Sequence, residues 1–413
     1  FICRPPLAEC MEVGVSIERA KLLIRENKLN LSSETISLEN ANGRLLAEGL
    51  YSKVHDPRFD NSAMDGWAVK KSDCQSDSEV VLKIVGAIQA GAEQTISIES
   101  GEACKITTGA RIPEGADAIV IVEDSRVDGN NVVITGPARK SFIRIKGENL
   151  SRGKLALSEG TYLGPSAISL AATMGHDKVT VYRKPIIGII STGDELVMPN
   201  SEINDWQIFE SNSFGIASLV EKMGGIPKRY GIVTDSIDQL RETLDSAVED
   251  CDALITTGGV SMGDWDIVRK IMESEGDIIF WRVNMRPGGP PIFGKWNEKP
   301  LFGLPGNPVS SHLVFLMLIC PWFSCTYGIE ESAAPNLGKK IRVKMKNSVK
   351  GAKDKLCLRR IRIVSEETGL YASTHTHQGS GNIHSMVAHN GVTLLPPNMG
   401  AEEGDIVDAF WFN

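Results

Sequence analysis

The stretch best suited to chemistry covers residues 252–266, DALITTGGVSMGDWD. An apolar strand pattern precedes its glycines and a helical pattern follows them, which predicts a strand, a tight turn and a helix. Backbone N–H groups at Gly258 and Gly259 can approach an anion closely, and the positive end of the helix favours one. Asp264 and Asp266 flank this turn, and carboxylates beside a phosphate site are typical ligands of Mg²⁺. A plain strand–helix turn with Asp264 as N-cap is the simpler alternative.

A second polar motif is FDNSAMDGWAV, residues 59–69, which leads into an alternating strand. It places Asp60, Asn61, Ser62 and Asp65 within six positions. Side chains of these types favour a turn before a strand. They are equally suited to act as ligands for a polar substrate, so both interpretations stay open at this point.

The elements that must position the first motif lie in residues 184–332, where apolar strands alternate with amphipathic helices. This order predicts a parallel-rich sheet covered by helices on both faces. In such sheets, ligands bind at the carboxyl ends of the strands. The loops at that edge are STGDEL, VTD, TTGGVSMGDWD, MRPGGPP and GLPGNPVS. Glycines, acids and a cation therefore converge on one rim, which supports an anion site with a divalent metal.

The rest of the chain is less specific. Helical periodicity runs over Val15–Lys28, with Ser16 near its N-cap, and again around Leu38–Leu50 and Ser151–Thr180. Alternating residues with frequent glycines lie between these segments, which predicts a β-rich insertion between two halves of one helical domain. Residues 336–413 alternate as well and predict a small β-barrel or sandwich.

The composition is that of an ordinary globular protein, with 413 residues, 42% hydrophobic and 23% charged. A net charge of −8 argues against binding nucleic acid or a membrane over the whole surface. Eight scattered cysteines form no CxxC pair, which favours free thiols in a reducing compartment. No signal peptide pattern is visible, and the apolar run Leu313–Cys320 is too short to span a bilayer. We expect a cytoplasmic protein whose natural N-terminus lies upstream of Phe1.

The last part of the chain contains a run of basic residues and a set of histidines. The basic strands after residue 338 favour a solvated face, because no aromatic residues interleave with the charges to stack nucleic-acid bases. His375, His377, His384 and His389 fit no known ligand spacing, so we expect no histidine metal site there.

Taken together, the motifs resemble those of the molybdopterin molybdenumtransferases, the family of MoeA and of the E domain of gephyrin. The similar motifs, in the order of the family, are FDNSAMDGWAV, TTGARIPEGADAIVIVED, STGDEL, TTGGVSMGDWD, PGGPP, LPGNPVS and HQGSGNIHS. The resemblance runs from about residue 10 to the C-terminus. It implies an elongated homodimer of a multidomain α/β protein. The implied domains are a split helical domain I (10–52 and 150–183), a β-rich domain II (53–149), a MogA/MoaB-like three-layer α/β domain III (184–332) that binds molybdopterin, and a C-terminal β-barrel domain IV (333–413).

The resemblance also implies a reaction: molybdate and adenylylated molybdopterin give molybdenum cofactor and AMP, assisted by Mg²⁺. The active cleft would form between domain III of one subunit and domain II of the other. By the family's motifs the catalytic residues would be Asp65, Thr108, Glu195, Asp235 and Asp266, with Glu195, Asp264 and Asp266 holding the metal. The pterin and phosphate would contact Gly258, Gly259, Ser261, Pro305 and Pro308, and molybdate would contact Arg286, Arg360 and Ser380. Implied partners are a MogA-type adenylyltransferase and molybdoenzyme chaperones.

Two departures from the family pattern stand out. Asn149 replaces the usual aspartate after RIKGE, and an amide cannot supply the charge of a metal ligand or general base. Gly289 replaces the second lysine of the usual KPGKP loop, whereas Arg286 keeps the first charge and can grip an oxyanion with two N–H groups. We expect activity with weaker molybdate binding, and we expect Gly289→Lys to lower the molybdate concentration needed.

Two rival functions and one rival substrate fit the same motifs. The first rival function is a non-catalytic, gephyrin-like scaffold. Loss of the acids at the rim would favour a scaffold, but those acids are present. The second rival function is a molybdopterin adenylyltransferase, because that class of enzyme has the same sheet with the TTGGVSMGDWD motif. The extra domains before residue 184 and after residue 336 favour molybdate insertion over adenylylation. Tungstate matches molybdate in size and charge, so the sequence leaves the choice of oxyanion open.

Overall fold

The computed structural model of the chain describes residues 11–74, 79–93, 96–261, 263, 266–328, 338–374 and 377–412. Contacts divide these residues into two compact units. The large unit takes the described residues of Phe1–Glu34, Gly43–Leu45 and Tyr182–Asn413, and the small unit takes those of Thr35–Asn42 and Leu46–Val181. The four domain boundaries expected from the sequence stay a prediction.

The secondary-structure elements, in chain order, are as follows. The strands are β1 (Glu12–Val15), β2 (Ser33–Ser37), β3 (Leu50–Tyr51), β4 (Asn61–Ser62), β5 (Gly66–Val69), β6 (Val80–Ile88), β7 (Glu102–Ile106), β8 (Ala118–Ile121), β9 (Ser125–Asp128), β10 (Asn131–Ile134), β11 (Ile143–Arg144), β12 (Leu155–Leu157), β13 (Lys178–Tyr182), β14 (Ile186–Thr192), β15 (Leu196–Val197), β16 (Ile208–Phe209), β17 (Ile226–Val233), β18 (Ala253–Thr257), β19 (Asp277–Val283), β20 (Met285–Arg286), β21 (Ile292–Trp296), β22 (Lys299–Leu304), β23 (Gly338–Met345), β24 (Leu356–Cys357), β25 (Arg360–Glu366), β26 (Gly369–Ser373), β27 (Gly391–Thr393) and β28 (Ile406–Phe412). The helices are α1 (Ile17–Glu26), α2 (Pro165–Thr173), α3 (Asn212–Lys222), α4 (Ile237–Asp250), α5 (Ile267–Ser274), α6 (Pro308–Val314), α7 (Cys320–Thr326) and α8 (His384–Ala388).

A seven-stranded sheet forms the centre of the large unit, in the order β1-β19-β21-β22-β18-β14-β17. The four strands β17, β14, β18 and β22 run parallel to one another, so the predicted parallel-rich sheet is confirmed. Strand β21 runs antiparallel to both of its neighbours and was not predicted. Its turn into β22 uses Asn297 and Glu298 at positive φ, a tight turn that the sequence pattern did not reveal.

Helices cover both faces of this sheet because its strands are apolar on both sides. Ile189 on β14 packs with α1, α3, α6 and α7, whereas its neighbour Ile190 packs with α4 and α5. The predicted N-cap of α1 is confirmed, since Ser16 Oγ accepts from the Arg19 N–H at 3.1 Å. One helical run, Pro308–Thr326, has the length and composition of a membrane span, but 89% of its apolar window is buried inside the protein. It therefore packs as a core helix of the large unit.

The C-terminal segment of the large unit closes into a five-stranded barrel in the order β23-β26-β25-β27-β28. Strand β23 pairs parallel with β26 and antiparallel with β28, which closes the ring. The expected β-barrel is therefore confirmed. Alternate residues such as Val343 and Met345 point into its core.

The small unit contains a six-stranded sheet in the order β8-β5-β7-β6-β10-β9, as the β-rich pattern predicts. The helix expected over Leu38–Leu50 is wrong: a 3₁₀ turn at Leu38–Asn40 and the short strand β3 stand there. Gly43 at φ +78° interrupts the segment in a conformation that a helix cannot continue. The helix expected over Ser151–Thr180 is only α2, flanked by β12 and β13.

Candidate functional site

A cavity of about 710 Å³ opens at the carboxyl ends of the parallel strands of the large unit. This is the edge at which sheets of this type bind ligands. Predicted site residues lining it are Glu195, Asp235, Gly258, Gly259, Ser261, Asp266, Pro305 and Pro308. Four separate loops thus bring these eight residues to one place, as their positions at strand ends predict.

The glycine loop after β18 needs glycine at two successive positions. Gly258 and Gly259 have φ of +95° and +62°. A Cβ on Gly258 would lie 2.7 Å from the carbonyl oxygen of Thr192, and one on Gly259 would lie 3.2 Å from the Thr192 hydroxyl. The Thr192 hydroxyl in turn donates to the Thr257 carbonyl at 3.4 Å. The loop therefore packs directly on the end of β14, and its backbone forms part of the cavity wall.

Four carboxylates, Asp194, Glu195, Asp235 and Asp266, form what we call the acidic rim. Burial raises the pKa of Asp235, and repulsion from the other three acids adds to that increase. The Asp235 backbone N–H donates to Asp194 Oδ1 at 2.9 Å, and Asp266 accepts from the Gly263 N–H. Like charges held this close favour a bound cation.

The acidic rim suits Mg²⁺ by its donor chemistry. Among the residues that the structure describes, no three His, Cys, Asp or Glu side chains converge into a ready-made metal cage. Mg²⁺ commonly keeps several waters and takes only one or two protein carboxylates together with substrate phosphates. A loose set of acids beside a cavity large enough for a phosphorylated ligand fits this mode of Mg²⁺ binding. Asp264, the third predicted ligand, lies outside the described residues, and Asp266 is the N-cap residue of α5.

The LPGNP loop is fixed on the other side of the cavity. Pro308 begins α6, and the Ser311 hydroxyl donates to the Pro305 carbonyl at 2.5 Å. Asn212 Nδ2 donates to the Gly306 carbonyl at 2.8 Å. The Asn212 side-chain oxygen is buried and has no hydrogen-bond partner in the described chain. Asn212 also lines the cavity and so joins the start of α3 to the LPGNP loop at the cavity wall.

The QGSG loop of the barrel segment reaches the same cavity through Gly381. The Val309 N–H donates to the Ser380 carbonyl at 3.1 Å, which joins this loop to the LPGNP loop. Arg360 is fully buried, and its Nη2 donates to the Gly379 carbonyl at 3.0 Å. Ser380 therefore lies beside the cavity rather than in its lining, and Arg360 holds the loop in place from behind.

Arg286 lies in a separate two-stranded pairing of β20 with β24, in which it stands opposite Cys357. Burial raises the pKa of the Cys357 thiol, while the charges of Arg359, Arg286 and Arg360 oppose that increase. Burial, followed by repulsion from Arg359, lowers the pKa of Arg360 to about 10. The structure thus gathers three guanidinium groups in one neighbourhood, although none of them lines the cavity.

The two predicted residues of the small unit, Asp65 and Thr108, contact each other. Asp65 Oδ1 accepts from the Thr108 N–H at 2.6 Å and from its hydroxyl at 2.9 Å. These two bonds lower the pKa of Asp65, the backbone bond most strongly. Gly66, which follows Asp65, allows β5 to pair closely with β8, because a Cβ there would lie 1.9 Å from the Val120 carbonyl oxygen. The FDNSAMDG and TTGA motifs therefore form one exposed polar corner.

Two other sequence features have defined surroundings. Asn149 Nδ2 donates to Asp56 Oδ2 at 3.1 Å, so the amide at this position binds a carboxylate rather than adding a second one. His377 accepts from the Gly379 N–H and His389 bonds the Ser385 carbonyl. His375 lies outside the described residues, so the set of four histidines is not described as a whole.

Sequence reasoning missed Asp194 and Glu210. Asp194 stands beside Glu195 in the same GDEL motif, so the motif itself could have identified it as a further acid of the rim. Glu210 is buried and accepts from Ser191 Oγ at 3.0 Å and from the Ser213 N–H at 2.7 Å. It lines the cavity and ties the end of β14 to the start of α3. No local motif marks this role, because its partners lie on two different elements.

Comparison with known proteins matches most of the chain. Residues 15–175 match the family model of the MoeA N-terminal region (domain I and II), residues 188–324 that of a probable molybdopterin binding domain, and residues 342–412 that of the MoeA C-terminal region (domain IV). A molybdopterin molybdenumtransferase of Nostoc sp. is 33% identical over 88% of this chain and 85% of its own length. One of Haemophilus influenzae is 35% identical over 73% and 75%. The crystal structure of the molybdopterin biosynthesis MoeA protein of Pyrococcus horikoshii superposes with a TM-score of 0.82 at 27% identity, covering 97% of this chain and all of that one.

Proposed function

The chain belongs to the molybdopterin molybdenumtransferase family, and we propose that it inserts molybdate into adenylylated molybdopterin with the help of Mg²⁺, releasing AMP. Membership makes it a transferase of molybdenum cofactor biosynthesis. The observation that supports the finer reaction is one cavity that joins the acidic rim to the glycine loop. That pairing suits a phosphoanhydride substrate with a divalent cation.

The residues of the cavity divide the work of binding. The backbone of Gly258 and Gly259, with Ser261, would hold the phosphate or the pterin. Glu195 and Asp266, with Asp235 beside them, would hold Mg²⁺. When bound, that ion offsets the negative charge that develops on phosphate as the phosphoanhydride breaks. The LPGNP loop would fix the pterin end of the cavity through Pro305 and Pro308.

Molybdate, as a dianion, requires cations and hydroxyl groups. Arg286 and Ser380 are the proposed contacts, with Arg360 placing the QGSG loop that carries Ser380. The homodimer, the contribution of Asp65 and Thr108 from a second subunit, the cytoplasmic location and the named partner proteins remain proposals drawn from the family resemblance.

AMP release tests the reaction directly. We expect purified protein, given adenylylated molybdopterin and Mg²⁺, to release AMP only when molybdate is added. Asp266→Asn removes a charge of the acidic rim, while the amide oxygen of asparagine can still accept from the Gly263 N–H, so the fold is kept while AMP release is lost. Asp205→Asn, at an exposed acid of the same unit, is the matched control and keeps full activity. AMP release without molybdate, or an active Asp266→Asn variant, contradicts the proposal.

A further inference from the structure

The RPGGP loop, residues 286–290, contains one cationic residue, Arg286, and a second cationic side chain, Lys355, lies next to it in the folded chain. A Cβ on Gly289 would lie 3.8 Å from the ammonium nitrogen of Lys355. Lys355 is 66 positions further along the chain by its numbering. Its ammonium therefore lies in contact distance of the point at which a side chain at position 289 would begin.

Backbone hydrogen bonds hold Lys355 beside this loop. Strand β24, which starts immediately after Lys355, pairs parallel with β20. The Leu356 N–H donates to the Asn284 carbonyl at 2.9 Å, and the Leu358 N–H donates to the Arg286 carbonyl at 2.8 Å. Arg286 thus lies on β20, and Lys355 directly precedes the strand that pairs with β20, so backbone pairing fixes where both residues stand along the chain.

The charge of this corner is not cancelled within the described residues. Neither Arg286 nor Lys355 forms an ion pair there with a carboxylate. The neighbouring acid, Asp354, accepts instead from the amide of Asn398 at 3.1 Å. Pro290, which follows Gly289, lines the cavity. Two cationic side chains that have no acidic partner among the described residues, next to a loop whose Pro290 lines the cavity, favour binding of a doubly charged oxyanion.

We propose that Lys355 supplies the second cation of the molybdate site, beside Arg286 and in place of a lysine at position 289. The inference rests on the proposed function, because molybdate is the doubly charged substrate of that reaction. It also revises the expectation for Gly289→Lys. In the natural chain, a lysine introduced there would begin 3.8 Å from an existing ammonium group, so repulsion offsets any gain in anion binding.

Moving the charge tests this assignment. We expect Lys355→Ala to weaken direct binding of molybdate, measured by titration calorimetry, by about tenfold, as for loss of one charge-assisted contact. We expect Gly289→Lys alone to give no tighter binding, and Lys355→Ala combined with Gly289→Lys to recover most of the lost affinity. Lys353→Ala removes an exposed lysine of the same turn and is the matched control, with unchanged binding. Circular dichroism verifies folding, and Lys355→Gln repeats the test with a side chain of similar length.

Several results would overturn the inference. Equal molybdate affinity of Lys355→Ala and Lys353→Ala is one, and failure of the double variant to recover is another. A change confined to the concentration of adenylylated molybdopterin needed for AMP release would assign Lys355 to the substrate phosphate instead of molybdate. If the wild-type protein binds molybdate but releases no AMP, the proposed reaction fails while the calorimetric comparison still decides the role of Lys355. No molybdate binding by the wild-type protein contradicts both.

Discussion

Replacing Gly258 with alanine gives the sharpest test of the glycine loop as a built part of the site. Gly258 has φ +95°, and its new Cβ would lie 2.7 Å from the Thr192 carbonyl oxygen and 2.9 Å from the Thr192 hydroxyl. The left-handed conformation costs an alanine about 1–2 kcal/mol. The shift of the backbone that is needed to remove the steric clash with the end of β14 costs about 1–3 kcal/mol more. We therefore expect the free energy of unfolding to fall by about 2–5 kcal/mol in total.

Gly231→Ala is the matched control in the same unit. Gly231 has a similar φ of +84°, but a Cβ there meets nothing within 4 Å. It should lose only the conformational part, about 1–2 kcal/mol, and keep its AMP release. Urea unfolding gives the two stability losses, and AMP release at a temperature where both variants are folded gives the activities. Equal stability losses, or full activity in Gly258→Ala, would refute the argument that the loop is fixed by contact with Thr192.

Three further outcomes follow from single contacts. Asp235→Asn removes one of the like charges of the acidic rim, so we expect a higher melting temperature in the absence of Mg²⁺. We also expect the Mg²⁺ concentration needed for AMP release to rise about 10–100-fold. A lower melting temperature would contradict the repulsion between these acids. Asp252→Asn should reduce the free energy of unfolding at pH 7 by about 1–3 kcal/mol, because Arg183 donates to both Asp252 oxygens at 2.7 Å. Burial opposes ionisation of Asp252, but the hydrogen bonds from Arg183 and from the Ile186 N–H lower its pKa in the folded protein. The stabilisation is therefore present above the unfolded pKa, near about 4, and is lost as the pH falls through the folded pKa. Urea titrations at pH 7 and pH 3 check that the difference from wild type shrinks in acid. Ser16→Ala, which removes the N-cap of α1, should cost about 1 kcal/mol in the same assay, whereas Ser158→Ala in the other unit should change little.

Local periodicity predicted the elements that hold the cavity because those elements are regular. The central strand β18 is buried throughout and β14 is buried over all but its first residue, and the helix after the glycine loop has a clear apolar face. Strand β21 escaped prediction because it is short, contains Gly294 and Lys295, and is joined to β22 by a turn of only two residues. The expected Leu38–Leu50 helix failed because its apolar spacing is interrupted by a glycine at positive φ.

The candidate site was predictable where its residues stand in motifs at strand ends. Glu195, Asp235 and Asp266 lie on three loops, and the sheet order alone brings these loops to one edge. Glu210 and Lys355 were not predictable in this way, because the partners of each lie on other elements. Lys355 reaches Gly289 only through the pairing of β20 with β24, a contact between distant parts of the sequence. The burial of Arg360 is likewise a property of the folded barrel segment.

In the proposed reaction, the release of AMP from adenylylated molybdopterin is coupled to the insertion of molybdenum into the pterin. The most direct measurement follows both products of one reaction: AMP by chromatography and pterin-bound molybdenum by elemental analysis after removal of free molybdate. The account predicts one molybdenum bound per AMP released, with both products absent when molybdate or Mg²⁺ is withheld. AMP released without molybdenum on the pterin would show hydrolysis rather than insertion, and would contradict the account.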